Sequence, residues 1–221
     1  MRQNNFGYLS VALMLLLVAL PVMETLFGWG GAILRASAYS AVLILGVWSL
    51  RMSRTWFRIA VALAAAGVIF EVLNVAHQQI AFTYLALLSF LLFLLLSTVL
   101  VLRQILTGTE VDLNRIAGAF CVYLMLGFVW SAAYMTLYAM DPGSFQGLAG
   151  TGDDFRLLDL QYFSFVTLTT LGYGDVLPVS DAARALATVE AVVGQIYLAV
   201  LVAALVGAYA TRVNAGRQRD D

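Results

Sequence analysis

Long apolar stretches, separated by short polar breaks, make up most of this 221-residue chain. A helix that spans a membrane needs about 20 mostly apolar residues, and six of the stretches meet that length. One of them, over residues 82–102, carries no charged residue at all. The pattern therefore predicts an all-α, multi-pass integral membrane protein. Its six predicted spans cover residues 6–26, 32–50, 56–76, 82–102, 116–140 and 183–211.

The composition agrees with a lipid environment and narrows the possible chemistry. Hydrophobic residues make up 62% of the chain and charged residues only 11%, whereas soluble domains carry about 25% charged residues. All 12 basic residues are arginines spread along the chain, so no nucleic-acid partner is expected. A single cysteine, Cys121, and a single histidine, His77, exclude an internal disulfide and a multi-histidine metal or haem site. Cys121 is predicted to be a buried packing residue.

The distribution of arginines predicts the orientation in the membrane. Cytoplasmic loops carry an excess of Lys and Arg. If the N-terminus is cytoplasmic, six spans place nine arginines on the cytoplasmic side and three outside. The nine are Arg2, Arg51, Arg54, Arg58, Arg103, Arg115, Arg212, Arg217 and Arg219, and the three are Arg35, Arg156 and Arg184. Both termini are therefore predicted to be cytoplasmic, and the short segments outside the membrane favour a bacterial inner membrane.

The break between the last two spans has an organisation of its own. A turn-rich loop after residue 140 leads into an apolar stretch, residues 157–169, which is too short to cross a membrane and suits a re-entrant helix. Asp159, or Asp154 slightly earlier, is predicted to cap its N-terminus. Its C-terminus would point toward the membrane centre, where the negative end of the helix dipole favours a cation.

A glycine-punctuated segment follows this short helix. Residues 167–178 read Thr-Leu-Thr-Thr-Leu-Gly-Tyr-Gly-Asp-Val-Leu-Pro, and Gly172 and Gly174 tolerate backbone dihedrals that other residues resist. Backbone that is not helical occurs at membrane depth only where it is buried in protein or lines a water-filled path. The segment has no charged side chain before Asp175, so its carbonyl oxygens are the groups available to a dehydrated monovalent cation.

The segment Thr-Leu-Gly-Tyr-Gly resembles the selectivity filter of the potassium channel family, and the resemblance extends over roughly residues 111–211. It implies that the carbonyl oxygens of four residues bind K⁺ ions, with the Thr170 hydroxyl adding the innermost ligands. The four residues are Thr170, Leu171, Gly172 and Tyr173. The resemblance further implies that the Tyr173 ring points away from the ions and braces the filter, and that K⁺ is the bound species without another cofactor.

The resemblance also suggests which residues support the filter. Asp175 is predicted to bond either to Tyr162 of the short helix or to water, and Thr169 precedes the filter directly. Glu190 lies within the last span, where a hydrogen bond to a Ser or Thr of the short helix is favoured over a role in filter gating. Gly194 occupies the place of a hinge glycine in the family, although it also suits close helix packing.

The leading region, residues 1–110, is predicted to be a four-helix unit in front of a pore domain, residues 111–221. Voltage sensing needs several charges inside the membrane field, and residues 82–102 have none, so a voltage sensor is not expected. Glu71, Asn74 and His77 share one helix face near the extracellular side. They suit either interhelix bonding and snorkelling or a proton- or ligand-sensitive site.

One filter copy in the sequence predicts a homotetramer, since four filter strands surround an ion. The sequence therefore predicts a passive, potassium-selective channel that is not an enzyme. A potassium transporter built on pore loops, a non-conducting or regulatory channel subunit, and a membrane enzyme remain alternatives.

Overall fold

The computed structural model describes residues 6–27, 54–106, 113–149 and 153–220, and within these ranges the chain is mostly helical. The helices are α1 (Phe6–Phe27), α2 (Arg54–His77), α3 (Ile80–Leu106), α4 (Leu113–Met140), α5 (Asp153–Leu168) and α6 (Asp181–Asp220). A short 3₁₀ helix, Pro142–Ser144, follows α4.

Four helices in the described ranges, α2, α3, α4 and α6, are long and apolar enough to cross a membrane. They correspond to the third, fourth, fifth and sixth predicted spans, and they identify an integral membrane protein. Helix α1 coincides with the first predicted span, with 22 residues. The second predicted span, residues 32–50, lies outside the described residues, so the count of six spans stays a prediction.

Helix α4 is the centre of the packing. It contacts α1, α3, α5 and α6, while α2 packs mainly against α3. Most of the α4 span is buried, whereas only a small part of the α2 and α6 spans is buried in the single chain. One apolar cluster joins α1, α2, α3 and α4, and includes Leu13, Phe93 and Val122. Helices α5 and α6, which flank the glycine-punctuated segment in sequence, therefore both pack on α4.

Polar contacts fix α1 to the first turns of α4. The Phe6 amide donates to Asn114 Oδ1 at 3.0 Å, and Ser10 Oγ donates to the Ala117 carbonyl at 3.1 Å. Ser10 Oγ also lies 3.1 Å from Cys121 Sγ, which is fully buried. The Phe6 ring leaves so little room over Gly118 that a Cβ there would lie 3.1 Å from it. Cys121 is therefore a packing residue at the α1–α4 contact.

The loop between α4 and α5 is more ordered than its turn-rich sequence predicted. Strand β1 (Phe145–Gln146) pairs antiparallel with strand β2 (Leu177–Pro178), which follows the filter segment. The amide of Val179 extends this contact by donating to the Ser144 carbonyl at 2.9 Å. The all-α prediction missed the ladder, because two-residue strands leave no alternating pattern in a sequence.

The prediction that Asp159 caps the short helix is wrong. Helix α5 begins at Asp153, so Asp159 lies in its second turn. Its Oδ2 atom instead accepts a hydrogen bond from the Ala149 amide at 2.8 Å and holds the preceding loop. Asp154 lies in the first turn, among residues whose side chains are not described. A well-defined cap is found elsewhere, where Asp141 Oδ1 accepts from the Gly143 amide at 3.0 Å.

Candidate functional site

The filter segment, residues 169–175, leaves the C-terminal end of α5 and reaches β2. Its first amides bond back to the last turns of α5: that of Thr170 to the Thr167 carbonyl at 3.0 Å, and that of Leu171 to the Val166 carbonyl at 2.9 Å. The Gly172 amide also approaches the Val166 carbonyl, at 3.3 Å. The inner end of the segment is thus fixed by the helix that precedes it.

Every second residue of the segment has a left-handed backbone. The φ angles of Thr170, Gly172 and Gly174 are +60°, +57° and +79°, and those of the residues between them are not positive. Where residues of positive and negative φ alternate, successive carbonyls can point toward one side instead of alternating as in a β-strand. The segment can therefore present a row of carbonyl oxygens along one edge.

Thr170 is strained in this conformation. Glycine adopts a positive φ without a steric penalty, but a β-branched residue there is an outlier that costs about 1–3 kcal/mol. The hydrogen bonds of Thr170 and Leu171 to the end of α5 supply the local constraint that holds it. A threonine at this place also carries a hydroxyl, which glycine would not supply.

The outer end of the segment is held by its carboxylate. The Tyr162 hydroxyl of α5 donates to Asp175 Oδ2 at 2.7 Å, and the Val176 amide donates to Oδ1 at 3.1 Å. Of the two predicted alternatives for Asp175, the structure shows the bond to Tyr162. This bond holds the pKa of Asp175 below its usual range and raises the pKa of Tyr162 to about 12.

A residue that the sequence analysis missed also packs on Asp175. Gly147, just after β1, has a φ of +86°, and its Cα faces the Asp175 carbonyl so closely that a Cβ there would overlap it. Only glycine fits both the dihedral angle and the approach. One glycine in a loop rich in turn-forming residues gives no signal of such a contact, so the sequence alone could not single it out.

The junction of α5 and the filter is packed against the last helix. Thr169 Oγ1 donates to the Phe165 carbonyl at 2.6 Å, which directs this predicted support residue back onto α5. A Cβ at Gly194 would lie 2.7 Å from the Leu168 carbonyl, and the Tyr123 hydroxyl donates to the same oxygen at 3.2 Å. Gly194 thus makes the close helix packing that was one of its two interpretations, and its role as a hinge stays a prediction.

Glu190 lies behind α5 and is fully buried. Its Oε1 atom is 2.6 Å from Ser164 Oγ, in agreement with the predicted bond to a Ser or Thr of the short helix. Its Oε2 atom accepts a short hydrogen bond from the Tyr134 hydroxyl of α4, which the sequence analysis did not identify. A partner on α4 is separated from Glu190 by more than 50 residues, so helical periodicity gives no signal of it.

The predicted sensor residues lie on α2, in the last two turns of that helix. Asn74 Oδ1 accepts from Thr83 Oγ1 at 2.9 Å, and the His77 ring is 6.0 Å from that of Phe82. Glu71 is half-buried and His77 is exposed. The contacts of Asn74 fit the interpretation of interhelix bonding, and a response of Glu71 and His77 to protons or ligands stays a prediction.

Replacing Tyr162 by Phe should raise the pKa of Asp175 toward the ordinary value of about 3.9, because the phenol is the main group that favours the charged form. Stability from this bond is present above that ordinary value and is lost as the pH falls through the lower pKa of the folded protein. Carbon-13 NMR of labelled aspartate would follow the titration. Tyr138→Phe serves as the control, and an unchanged Asp175 titration in Tyr162→Phe would contradict the assignment.

Comparison with known proteins shows similarity to ion channels. Residues 116–211 match a protein-family model described as "Ion channel". The chain is 42% identical over 86 residues to "Two pore potassium channel b" of Oryza sativa subsp. japonica, and 34% identical over 83 residues to "Two pore potassium channel c" of the same plant.

These alignments cover 38% and 36% of this chain but only 22% and 18% of the two relatives, so the chain matches about a fifth of their length. No solved structure gives a significant match. The region matched by the family model contains the short helix, the filter segment and most of α6. Together the comparisons show that this part of the chain, residues 116–211, is similar to ion channels.

Proposed function

We propose that the protein is a subunit of a potassium-selective channel that conducts K⁺ passively across the membrane. The observation that carries the proposal is the alternation of left-handed residues at Thr170, Gly172 and Gly174, directly after a short helix. It allows the carbonyls of Thr170, Leu171, Gly172 and Tyr173 to replace the hydration shell of K⁺. The names of the two plant relatives agree with this ion.

The helix in front of the filter adds to the attraction for a cation. The last carbonyls of a helix carry a partial negative charge equivalent to about half an elementary charge. The C-terminal end of α5 at Leu168 lies next to the inner end of the carbonyl row. A cation approaching the row from the cytoplasmic side is therefore stabilised before it loses its water.

A homotetramer accounts for the surfaces that the single chain leaves open. One chain supplies one carbonyl row, and a ring around an ion needs four. The side chains of Leu171 and Tyr173 are 54% and 67% exposed, and α6 exposes apolar residues at helical spacing. These residues are Val189, Val192, Ile196 and Val200. Four copies arranged around the carbonyl rows would cover this surface.

The alternatives explain fewer of these features. A transporter built on pore loops usually carries four degenerate filter copies in one chain, and this sequence has one full Thr-Leu-Gly-Tyr-Gly. In the described ranges no three His, Cys, Asp or Glu side chains are grouped to hold a metal ion, which leaves little support for a metalloenzyme. A non-conducting subunit has the same filter geometry, so a flux measurement is what separates it from a channel.

Substituting Gly172 by Ala should abolish potassium-selective flux. Alanine at this positive φ costs about 1–2 kcal/mol per subunit, although nothing within 4 Å would obstruct its Cβ in the single chain. Flux would be measured in liposomes with a K⁺ gradient and, separately, an Na⁺ gradient. Gly7→Ala is the control, because it also has open space but lies in helix α1. Wild-type protein that passes Na⁺ as readily as K⁺, or neither ion, would refute the function.

The protein in mild detergent should have the mass of four copies of the 24.0-kDa chain. Four carbonyl rows must meet around the ion, and the exposed apolar face of α6 provides the contact between copies. Native mass spectrometry would measure the assembly, and chemical crosslinking in membranes would check that detergent did not create it. A stable monomer under both conditions would exclude the homotetramer.

Opening should depend only weakly on the membrane potential. Each charge that crosses the field contributes about 2.3 kcal/mol per 100 mV, and residues 82–102 of α3 contain none. Arg103 lies only in the last turn of α3. Currents recorded in planar bilayers at both polarities would test this, with Arg103→Gln expected to leave the conductance–voltage curve unchanged. A steep curve for the wild type would overturn the prediction.

A further inference from the structure

Three helices meet at one buried carboxyl group behind the filter. Glu190 of α6 contacts the Tyr134 hydroxyl of α4 through Oε2 and Ser164 Oγ of α5 through Oε1, the latter at 2.6 Å. Ser164 Oγ also lies 2.8 Å from the Gly127 carbonyl of α4. All three side chains are fully buried. The oxygens form a continuous chain from Tyr134 through Glu190 and Ser164 to Gly127.

The number of hydrogens available for these hydrogen bonds indicates whether Glu190 is ionised or protonated. Its three short contacts need three hydrogens, and the hydroxyls of Tyr134 and Ser164 supply two. A carboxylate only accepts hydrogen bonds, whereas a protonated carboxyl group also donates one. If Glu190 were ionised, Ser164 would have one hydrogen for two short contacts. If Glu190 carries a proton on Oε1, it donates to Ser164, Ser164 donates to Gly127, and every contact is satisfied.

The surroundings of Glu190 agree with an uncharged group. Its two hydrogen-bond partners in the described chain are both hydroxyls, and neither supplies a positive charge. The titratable groups that face it are Tyr134 and, through a longer electrostatic interaction, Tyr123, both on α4. On the α5 side the group that faces it is Ser164, which does not titrate. Burying a carboxylate without a cationic partner costs free energy, and protonating it costs less than keeping it ionised.

We propose that Glu190 is protonated at neutral pH and that, in this form, it is the positioning residue that holds α5 between α4 and α6. Ser164 lies four residues before Leu168, where α5 ends and the filter segment begins. The proton on Glu190 therefore determines whether the last turns of α5 are tied to both neighbouring helices. When the proton leaves, Ser164 can donate to Glu190 or to Gly127 but not to both, and one of the two ties is lost.

Infrared difference spectroscopy tests the protonation state without requiring conduction. The spectrum of wild type minus Glu190→Gln at neutral pH should contain the carbonyl stretch of a protonated carboxylic acid. Glutamine has the same shape and can accept from Tyr134 and donate to Ser164, so this variant should fold. Asp181→Asn, an exposed acid on the same helix, is the matched control and should leave that band in place. A carboxylate band in its stead would overturn the proposal.

A second variant keeps the carboxyl group and changes only its partner. In Tyr134→Phe, the Glu190 carbonyl loses its donor, so the acid band should move to higher frequency. This measurement remains available if Glu190→Gln does not fold. An acid band that is unaffected by Tyr134→Phe would mean that the band does not belong to Glu190, and the proposal would be rejected.

The positioning role rests on the proposed channel function and needs a second readout. Potassium flux through the wild type should fall at alkaline pH, as Glu190 loses its proton. Flux through Glu190→Gln should persist there and match the neutral wild type. Equal alkaline loss in both proteins would reject the positioning role. If neither protein conducts at any pH while the acid band is present, the channel function fails and the protonation of Glu190 stands.

Discussion

The structure depends on a stretch of non-helical backbone, residues 169–175, that connects α5 to β2. The carbonyls of residues 170–173 can face an ion only if they are not used in a helix or a sheet, so the segment cannot stabilise itself by its own ladder of hydrogen bonds. Its shape must come from its two ends. The amides of Thr170 and Leu171 fix the inner end to α5, and the Tyr162–Asp175 bond and the approach of Gly147 fix the outer end.

Tyr134 of α4 connects the two sets of contacts behind the filter. Its ring packs edge-to-face on Phe145 of β1, at 5.5 Å between centroids, and on Phe163 of α5, at 5.1 Å. Its hydroxyl donates to Glu190 of α6. One fully buried side chain therefore touches the strand that precedes Gly147, the helix that precedes the filter, and the buried carboxyl group. Aromatic pairs of this geometry contribute about 0.5–1.5 kcal/mol each beyond the burial of their area.

The sequence predicted the features that depend on the composition of a continuous stretch of residues, above all the helices. Long apolar runs predicted helices α1, α2, α3, α4 and α6, because lipid requires every backbone group to be paired within the segment. The shorter apolar run predicted α5, but the helix begins at Asp153, ahead of that run, and Asp159, one of the two predicted caps, binds the loop at Ala149 instead. Gly172 and Gly174 predicted non-helical backbone after α5, because glycine is the residue that accepts their backbone angles without strain.

The features that the sequence did not reveal are contacts between distant segments. Tyr134 and Gly147 look like an ordinary aromatic residue in a span and an ordinary turn glycine, and their importance comes only from what lies across from them. The two-residue strands are too short to show a period. The residue type of Thr170 predicts a negative φ, because β-branched residues resist a positive one. The structure nevertheless has a positive φ there, which the hydrogen bonds to the end of α5 impose.

Helix α4 also connects the leading helices to the residues that pack behind α5. In the described ranges α1 and α3 both pack on α4, and α2 packs mainly on α3. Phe6 fits over Gly118 near the start of α4, whereas Gly127 and Tyr134 meet Ser164 and Glu190 further along the same helix. A packed helix interior transmits strain because it has few voids. Helix α4 therefore joins the packing of α1 and α3 to the contacts of the buried carboxyl group.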